Sequence, residues 1–207
     1  VSFDLFSGEI LGIVGRNGAG KSTLLKILSN IISPTSGYAD VFAPVTPLLE
    51  LGSGFHPDFT GRQNIFLEAP LLGFTREQVQ AKLPEIISFS EIKNLDQPLK
   101  HFSSGMIIRL AFSLAIQSES PILILDETLG GGDFGFKEKS LDAIHQMAKK
   151  GRAIIIVAHD KELIKNHCSR VLWLEKGVLV QNGSPEDVVD NYINSFIGKC
   201  RLPIENE

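Results

Sequence analysis

Positive charge is in short supply in this chain: 20 Lys and Arg face 24 Asp and Glu, leaving a formal net charge of -4 at pH 7. With a sequence pI near 5.8, there is no basic field to draw in a phosphodiester backbone, which argues against nucleic acid as a main partner. Cysteine is scarcer still. Cys168 and Cys200 are the whole complement and neither has metal-ligand spacing around it, so neither a disulfide framework nor a zinc site is suggested and a reducing, cytoplasmic setting is expected. Long apolar runs are also missing. The stretches 121–125 and 153–158 fall far short of the ~20 residues that span a bilayer, so any membrane role needs a partner chain. Residues 1–9 show no basic segment followed by an apolar run, so no signal peptide is visible, and the lack of a starting Met hints at truncation.

What is present reads as a folded chain. The 207 residues are 43% hydrophobic and 21% charged, enough to bury a sizeable core in one domain with a subdomain. Residues 9–14 predict a short buried strand, and 21–32 a helix with apolar Leu24, Leu25, Ile27, Leu28 and Ile31. The turn cluster Ser33-Pro34-Thr35-Ser36-Gly37 should end that helix. The middle, 60–118, predicts an inserted helical subdomain between core segments 1–59 and 119–207. Thr75 and Gln78 resemble a capping box, and Pro70 and Pro84 should kink or break their helices. Residues 122–125 and 153–157 are β-branched and leucine runs, as in strands covered on both faces of a parallel sheet, with a helical pattern over 136–149 between them. A terminal hairpin (170–175 and 178–181, around Lys176-Gly177) and a last helix over 185–196 complete an α/β fold with a mostly parallel sheet.

The densest chemistry lies in Gly15-Arg16-Asn17-Gly18-Ala19-Gly20-Lys21-Ser22-Thr23, a complete P-loop pattern between a strand and a helix. Glycines let backbone N–H groups curl around phosphate oxygens, and the helix start adds its positive dipole end. Lys21 can reach the β and γ phosphates of a nucleoside triphosphate, and the Ser22 hydroxyl can ligate Mg²⁺. The strand 122–125 runs into Asp126 and Glu127, at the carboxyl edge where such sheets bind ligands. Asp126 would hold the Mg²⁺ shell and Glu127 would orient or deprotonate an attacking water. Phe102-Ser103-Ser104-Gly105-Met106 precedes the apolar helix 107–117. Alone this is a helix cap; near a P-loop it is a second anion-binding design. His159 follows the strand 153–157 and reaches the same edge, whereas His56, His101, His145 and His167 have no comparable placement.

In this order, these residues resemble the ATP-binding subunit of ABC transporters, over essentially the whole chain. The resemblance implies the P-loop NTPase fold of that family, ATP and Mg²⁺ as cofactors, Glu127 and His159 as catalytic residues, and Asp133 in an Asp-containing loop. The segment Phe102-Ser103-Ser104-Gly105-Met106 stands where the family's signature stands, in divergent form, with Ser103 and Gly105 retained. Together with Leu48-Leu49-Glu50-Leu51-Gly52-Ser53-Gly54-Phe55-His56-Pro57 it looks like the exporters of polysaccharides and polyol phosphates such as O-antigen, capsule or teichoic acid. Glu50 then occupies about the position of the family's Q-loop glutamine.

The family implies a head-to-tail dimer sandwiching two ATP molecules, each held by one copy's P-loop and the other copy's Ser103 and Gly105. It also implies transmembrane permease partners coupled through the helical subdomain, and a peripheral position on the cytoplasmic face of the inner membrane. Two departures motivate a second reading, a non-catalytic or weakly active nucleotide-binding module. No aromatic before Gly15 fills the family's adenine-stacking role, as though a first strand were missing, and Gly130-Gly131-Gly132 precedes Asp133. A soluble ATPase acting on ribosomes or DNA would call for tandem cassettes, long heptads or a basic extension, and none is visible. No glycan-recognition module is visible either.

Overall fold

Six strands form the centre of the computed structural model, which describes residues 1–48, 52–126 and 134–197. They are β1 (Ile10–Val14), β2 (Val45–Leu48), β3 (Ile122–Asp126), β4 (Ala153–Val157), β5 (Arg170–Glu175) and β6 (Val178–Gly183). The order across the sheet is β2-β3-β4-β1-β5-β6. The pairs from β2 to β5 are parallel, and β6 returns antiparallel to β5.

The leucine and isoleucine runs are continuous because both faces are covered. Leu123, Leu125, Ile154 and Ile156 share a cluster with Phe136, Leu141 and Ile144 of α5 (Phe134–Lys149), Leu163 and Ile164 of α6 (Lys161–His167), and Val188, Val189 and Tyr192 of α7 (Pro185–Ile197). The alternate residues Ile13, Ile124, Ile155 and Val157 pack on the other side with Leu25 of α1 (Lys21–Leu28). This is the period-two alternation of a strand, with each face given an apolar partner. Gly12 permits the close approach of α6 to β1, since a Cβ there would lie 2.9 Å from the Cys168 Sγ and 3.0 Å from the Ile164 Cγ2. Residues 61–115 carry α2 (Gly61–Glu68), α3 (Arg76–Ser90), α4 (Ser104–Ala115) and two 3-10 turns around a separate cluster that includes Ile65, Val79, Leu83, Ile86, Leu110 and Leu114.

Three local expectations give way. α1 ends at Leu28, not at Ile32, because Asn30 takes a left-handed conformation (φ 56). The Asn30 N–H bonds the Ile27 carbonyl at 3.0 Å and the Ile31 N–H bonds that of Lys26 at 2.9 Å, a Schellman cap that closes the helix ahead of the proline turn. α3 runs through Pro84 unbroken: Val79, Leu83 and Ile86 are buried, and their packing outweighs the backbone bond that proline cannot donate. Pro70 does mark a boundary, opening the 3-10 turn Ala69–Leu72 directly after α2. Strand β2 was not expected at all, and its Pro47 is tolerated because β2 lies at the sheet edge.

Capping accounts for where several helices begin. Thr75 and Gln78 form the reciprocal capping box at α3, and Thr60 with Gln63 forms a second at α2. Asp160 caps α6 by accepting the Leu163 N–H at 3.1 Å. At the start of the chain the bidentate pair between Arg170 and Glu9 (2.6 and 3.0 Å) ties residues ahead of β1 to β5.

Candidate functional site

Parallel pairing brings the chemistry to one edge. Ile13 and Asp126 are both in register with Val157 of β4, which lies between their strands. The P-loop begins two residues after Ile13 and His159 stands two residues after Val157. With neighbouring strands ~4.8 Å apart, the loop, the Asp126 carboxylate and His159 emerge side by side within about 10 Å. β5 ends on the same edge at Glu175 and Lys176, since Val14 is in register with Trp173.

The loop's shape follows from its glycines. Gly15 is buried against β5, where a Cβ would overlap the Leu174 carbonyl oxygen. Gly18 and Gly20 have φ of 79 and 100, which L side chains rarely adopt. The Ala19 N–H bonds the Arg16 carbonyl at 3.0 Å, and the Gly177 N–H bonds the Ala19 carbonyl at 2.9 Å, so the β5–β6 turn braces the loop from the side. Gly20 is also the N-cap of α1 and supplies no side-chain oxygen, which leaves the first-turn N–H groups facing an incoming anion. Ala19 packs into the core beside Leu25, anchoring the loop to the sheet.

Lys21 is buried, with 9% of its surface exposed, and its Nζ donates to the carbonyls of Gly15 (2.8 Å) and Arg16 (3.3 Å). An ammonium held by two loop carbonyls is placed to meet phosphate oxygens in the loop. Ser22, Thr23, Asn17 and His159 are exposed along the same edge. An open cleft of about 320 Å³ beside the loop is lined by Arg16, Asn17, Gly18, Ala19, Glu175 and Lys176.

Oxygen donors suit Mg²⁺, and the Ser22 hydroxyl with the Asp126 carboxylate supplies that chemistry. Among the described residues no group of three or more His, Cys, Asp or Glu could hold a metal on its own. Such a sparse donor set fits an ion that arrives with phosphates and keeps several waters, not one held in a protein cage.

Ser103 caps α4, its Oγ accepting the Met106 N–H at 3.2 Å, and Gly105 lies in that helix's first turn. Neither has a hydrogen bond to the P-loop among the described residues. Glu50, Glu127 and Asp133 lie outside the described residues. Arg16 and Lys176, legible only as motif and turn residues, line the cleft; Asp160, whose carboxyl is held below its usual range first by the Lys137 hydrogen bond, and the buried Asn64 carry no motif at all. The Asn64 side chain bonds the His56 N–H and the His56, Phe59 and Thr60 carbonyls, pinning the loop after residue 52. No local signal marks it, since Asn64 follows Gly61-Arg62-Gln63 in a helix that is polar over its first half.

The family model described as ABC transporter matches residues 1–130. The chain belongs to the ABC transporter family. An O-antigen export system ATP-binding protein of Klebsiella pneumoniae is 43% identical over 193 residues, 93% of this chain and 78% of that protein. A teichoic acids export ATP-binding protein of Lactococcus lactis is 38% identical over 93% of this chain and 41% of its own length, so this ABC chain spans under half of that relative. Among solved structures, an ATP-binding subunit of an ABC transporter superposes with a TM-score of 0.82 at 21% identity, covering 96% of this chain and 90% of the other. An ATP-binding cassette captured as a post-hydrolysis dimer with ADP and Pi gives 0.75 at 20% identity, covering 89% of each. These likenesses establish the ABC ATPase fold.

Proposed function

We propose that this ABC chain binds and hydrolyses ATP to power export of a polysaccharide or polyol phosphate through a partner permease at the cytoplasmic face of the membrane. The observation that carries the reading is the shared edge, where the buried Lys21 ammonium, the Asp126 carboxylate and His159 leave adjacent strands beside a glycine loop braced from two sides. ATP phosphates would lie in the loop, against the N–H groups at the start of α1 and against Lys21. Mg²⁺, held by Ser22 and Asp126, would offset phosphate charge. Glu127 is assigned to the attacking water and His159 to the γ-phosphate.

The names of the export-system relatives support the transport reading, and a neighbour solved as a dimer supports a two-copy assembly. Ser103 and Gly105 open α4 at a helix N-terminus suited to an anion, yet among the described residues they form no hydrogen bond with their own chain's P-loop. That favours their acting on the nucleotide held by a second copy. Segment 60–118 is assigned to the permease contact, with Glu50 relaying nucleotide state and Asp133 communicating across the dimer.

The test is phosphate release by the purified chain, alone and reconstituted with its permease. Turnover that permease raises, and that disappears in Glu127→Gln and His159→Ala, is the expected result. Nucleotide binding without turnover in either setting would replace this reading with a non-catalytic regulatory module.

A further inference from the structure

Arg16 and Lys161 flank the two chemical segments of the edge, one directly after Gly15 and the other two residues after His159. Both cations rest on the same aromatic ring. The Arg16 Cζ lies 5.4 Å and the Lys161 Nζ 5.3 Å from the centroid of Phe196, in the last turn of α7. Lys161 also sits 5.6 Å from the Tyr192 ring. Tyr192 packs edge-on against Phe196 at 4.9 Å and against Trp173 of β5 at 5.7 Å, so the ring under the cations is fixed through a three-aromatic stack to the sheet. Among the described residues the Arg16 guanidinium meets the Phe196 ring directly and also acts electrostatically on the neighbouring Tyr192 hydroxyl.

That matters because Arg16 also lines the cleft beside the P-loop. An exposed arginine on a loop samples many rotamers, and ordering it costs free energy each time a ligand binds. A half-buried ring face restricts those rotamers in advance while leaving the charge available, since a cation–π contact consumes no hydrogen-bond donor. A nucleoside triphosphate in the loop is a polyanion, so a guanidinium already held in the wall would favour it.

We propose that Phe196 is a positioning residue for nucleotide binding, acting through Arg16, which its ring holds in the wall of the cleft. The inference rests on the ATP-binding reading given above. α7 therefore contributes to the site from the opposite end of the chain, and its last turn and the P-loop are coupled through one contact.

Mg-ATP binding to the whole chain is measured by titration calorimetry, a readout that does not depend on the Trp173–Tyr192–Phe196 contacts that the variants alter. Phe196→Leu, which keeps an apolar side chain but removes the π face, should raise the Kd for Mg-ATP about two- to fivefold. Arg16→Ala should do the same, the double variant should be no weaker than either single one, and Phe196→Tyr should bind like the parent chain. An unchanged Kd in Phe196→Leu, or multiplied effects in the double variant, would overturn the proposal. Loss in Phe196→Leu accompanied by equal loss in Phe196→Tyr would overturn it too, since packing and not the ring face would then be at work. Failure of the parent chain to bind Mg-ATP at all would remove the ATP-binding reading and this inference together, whereas a parent that binds without coupling removes this one alone.

Discussion

Replacing Gly15 by alanine separates what the P-loop glycines do for shape from what they do for strain. Gly15 is not among the glycines with positive φ, so alanine meets no conformational penalty there. The obstacle is steric: the new Cβ would overlap the Leu174 carbonyl oxygen and come within 3.0 Å of the Ala19 Cβ. Leu174 belongs to β5 and cannot yield without breaking sheet contacts, so the loop must retreat from β5 by roughly an ångström to reach ordinary contact distance. A displacement of that size in a positioning element costs on the order of a hundredfold in rate. Gly18 gives the opposite case. A Cβ there meets nothing within 4 Å, but φ is 79, so alanine costs about 1–2 kcal/mol of backbone strain. For a chain of this length that corresponds to a Tm lower by roughly 2–8 °C. Phosphate release and thermal unfolding measured on both variants decide the matter. Gly15→Ala should lose about two orders of magnitude in kcat/KM, and Gly18→Ala should show the Tm drop. A Gly15→Ala chain with parental kcat/KM would refute the steric argument.

Lys21→Met should abolish measurable Mg-ATP binding in a titration while leaving the far-UV spectrum unchanged, because it removes the buried ammonium but keeps an apolar stem of similar length. Arg170→Leu should lower the Tm by roughly 4–12 °C, since it breaks a mostly buried bidentate pair with Glu9 whose charged hydrogen bonds are worth about 2–3 kcal/mol. Burial, then the neighbouring His145 and Lys137, push the His167 pKa below the ordinary 6.5, with Asp142 and Asp160 opposing. The folded chain then binds fewer protons than the unfolded chain over that interval, so this stability is full above 6.5 and lost as pH falls through the depressed folded value. Urea midpoints across that range should fall with acidification in the parent and fall less in His167→Gln; parallel curves would contradict the assignment.

The strands that carry the site were legible because each is a dense apolar run that ends in, or is followed within two residues by, a glycine, a carboxylate or a histidine at the same sheet edge. The P-loop was legible for a different reason, since Gly18 and Gly20 are required locally by φ, whereas the contact that requires Gly15, with Leu174, is long-range. β2 escaped notice because four residues with a proline look like a turn until the sheet edge is known. Pro84 misled in the other direction, since the buried row of α3 overrides its local preference. The Arg16–Phe196 contact joins residues 180 positions apart and depends on how α7 returns over β5, which no local pattern encodes. The ion pair of Lys137 with Asp160 at 2.8 Å likewise depends on α5 meeting the start of α6.

Glu127→Gln tests the central claim most directly, because a composite site needs a second copy and blocked hydrolysis should hold the two together. Light scattering on that variant at saturating Mg-ATP should report twice the 22.7 kDa of the chain, and return to 22.7 kDa when the nucleotide is removed. A mass that stays at 22.7 kDa with nucleotide bound would contradict the ATP-sandwich account.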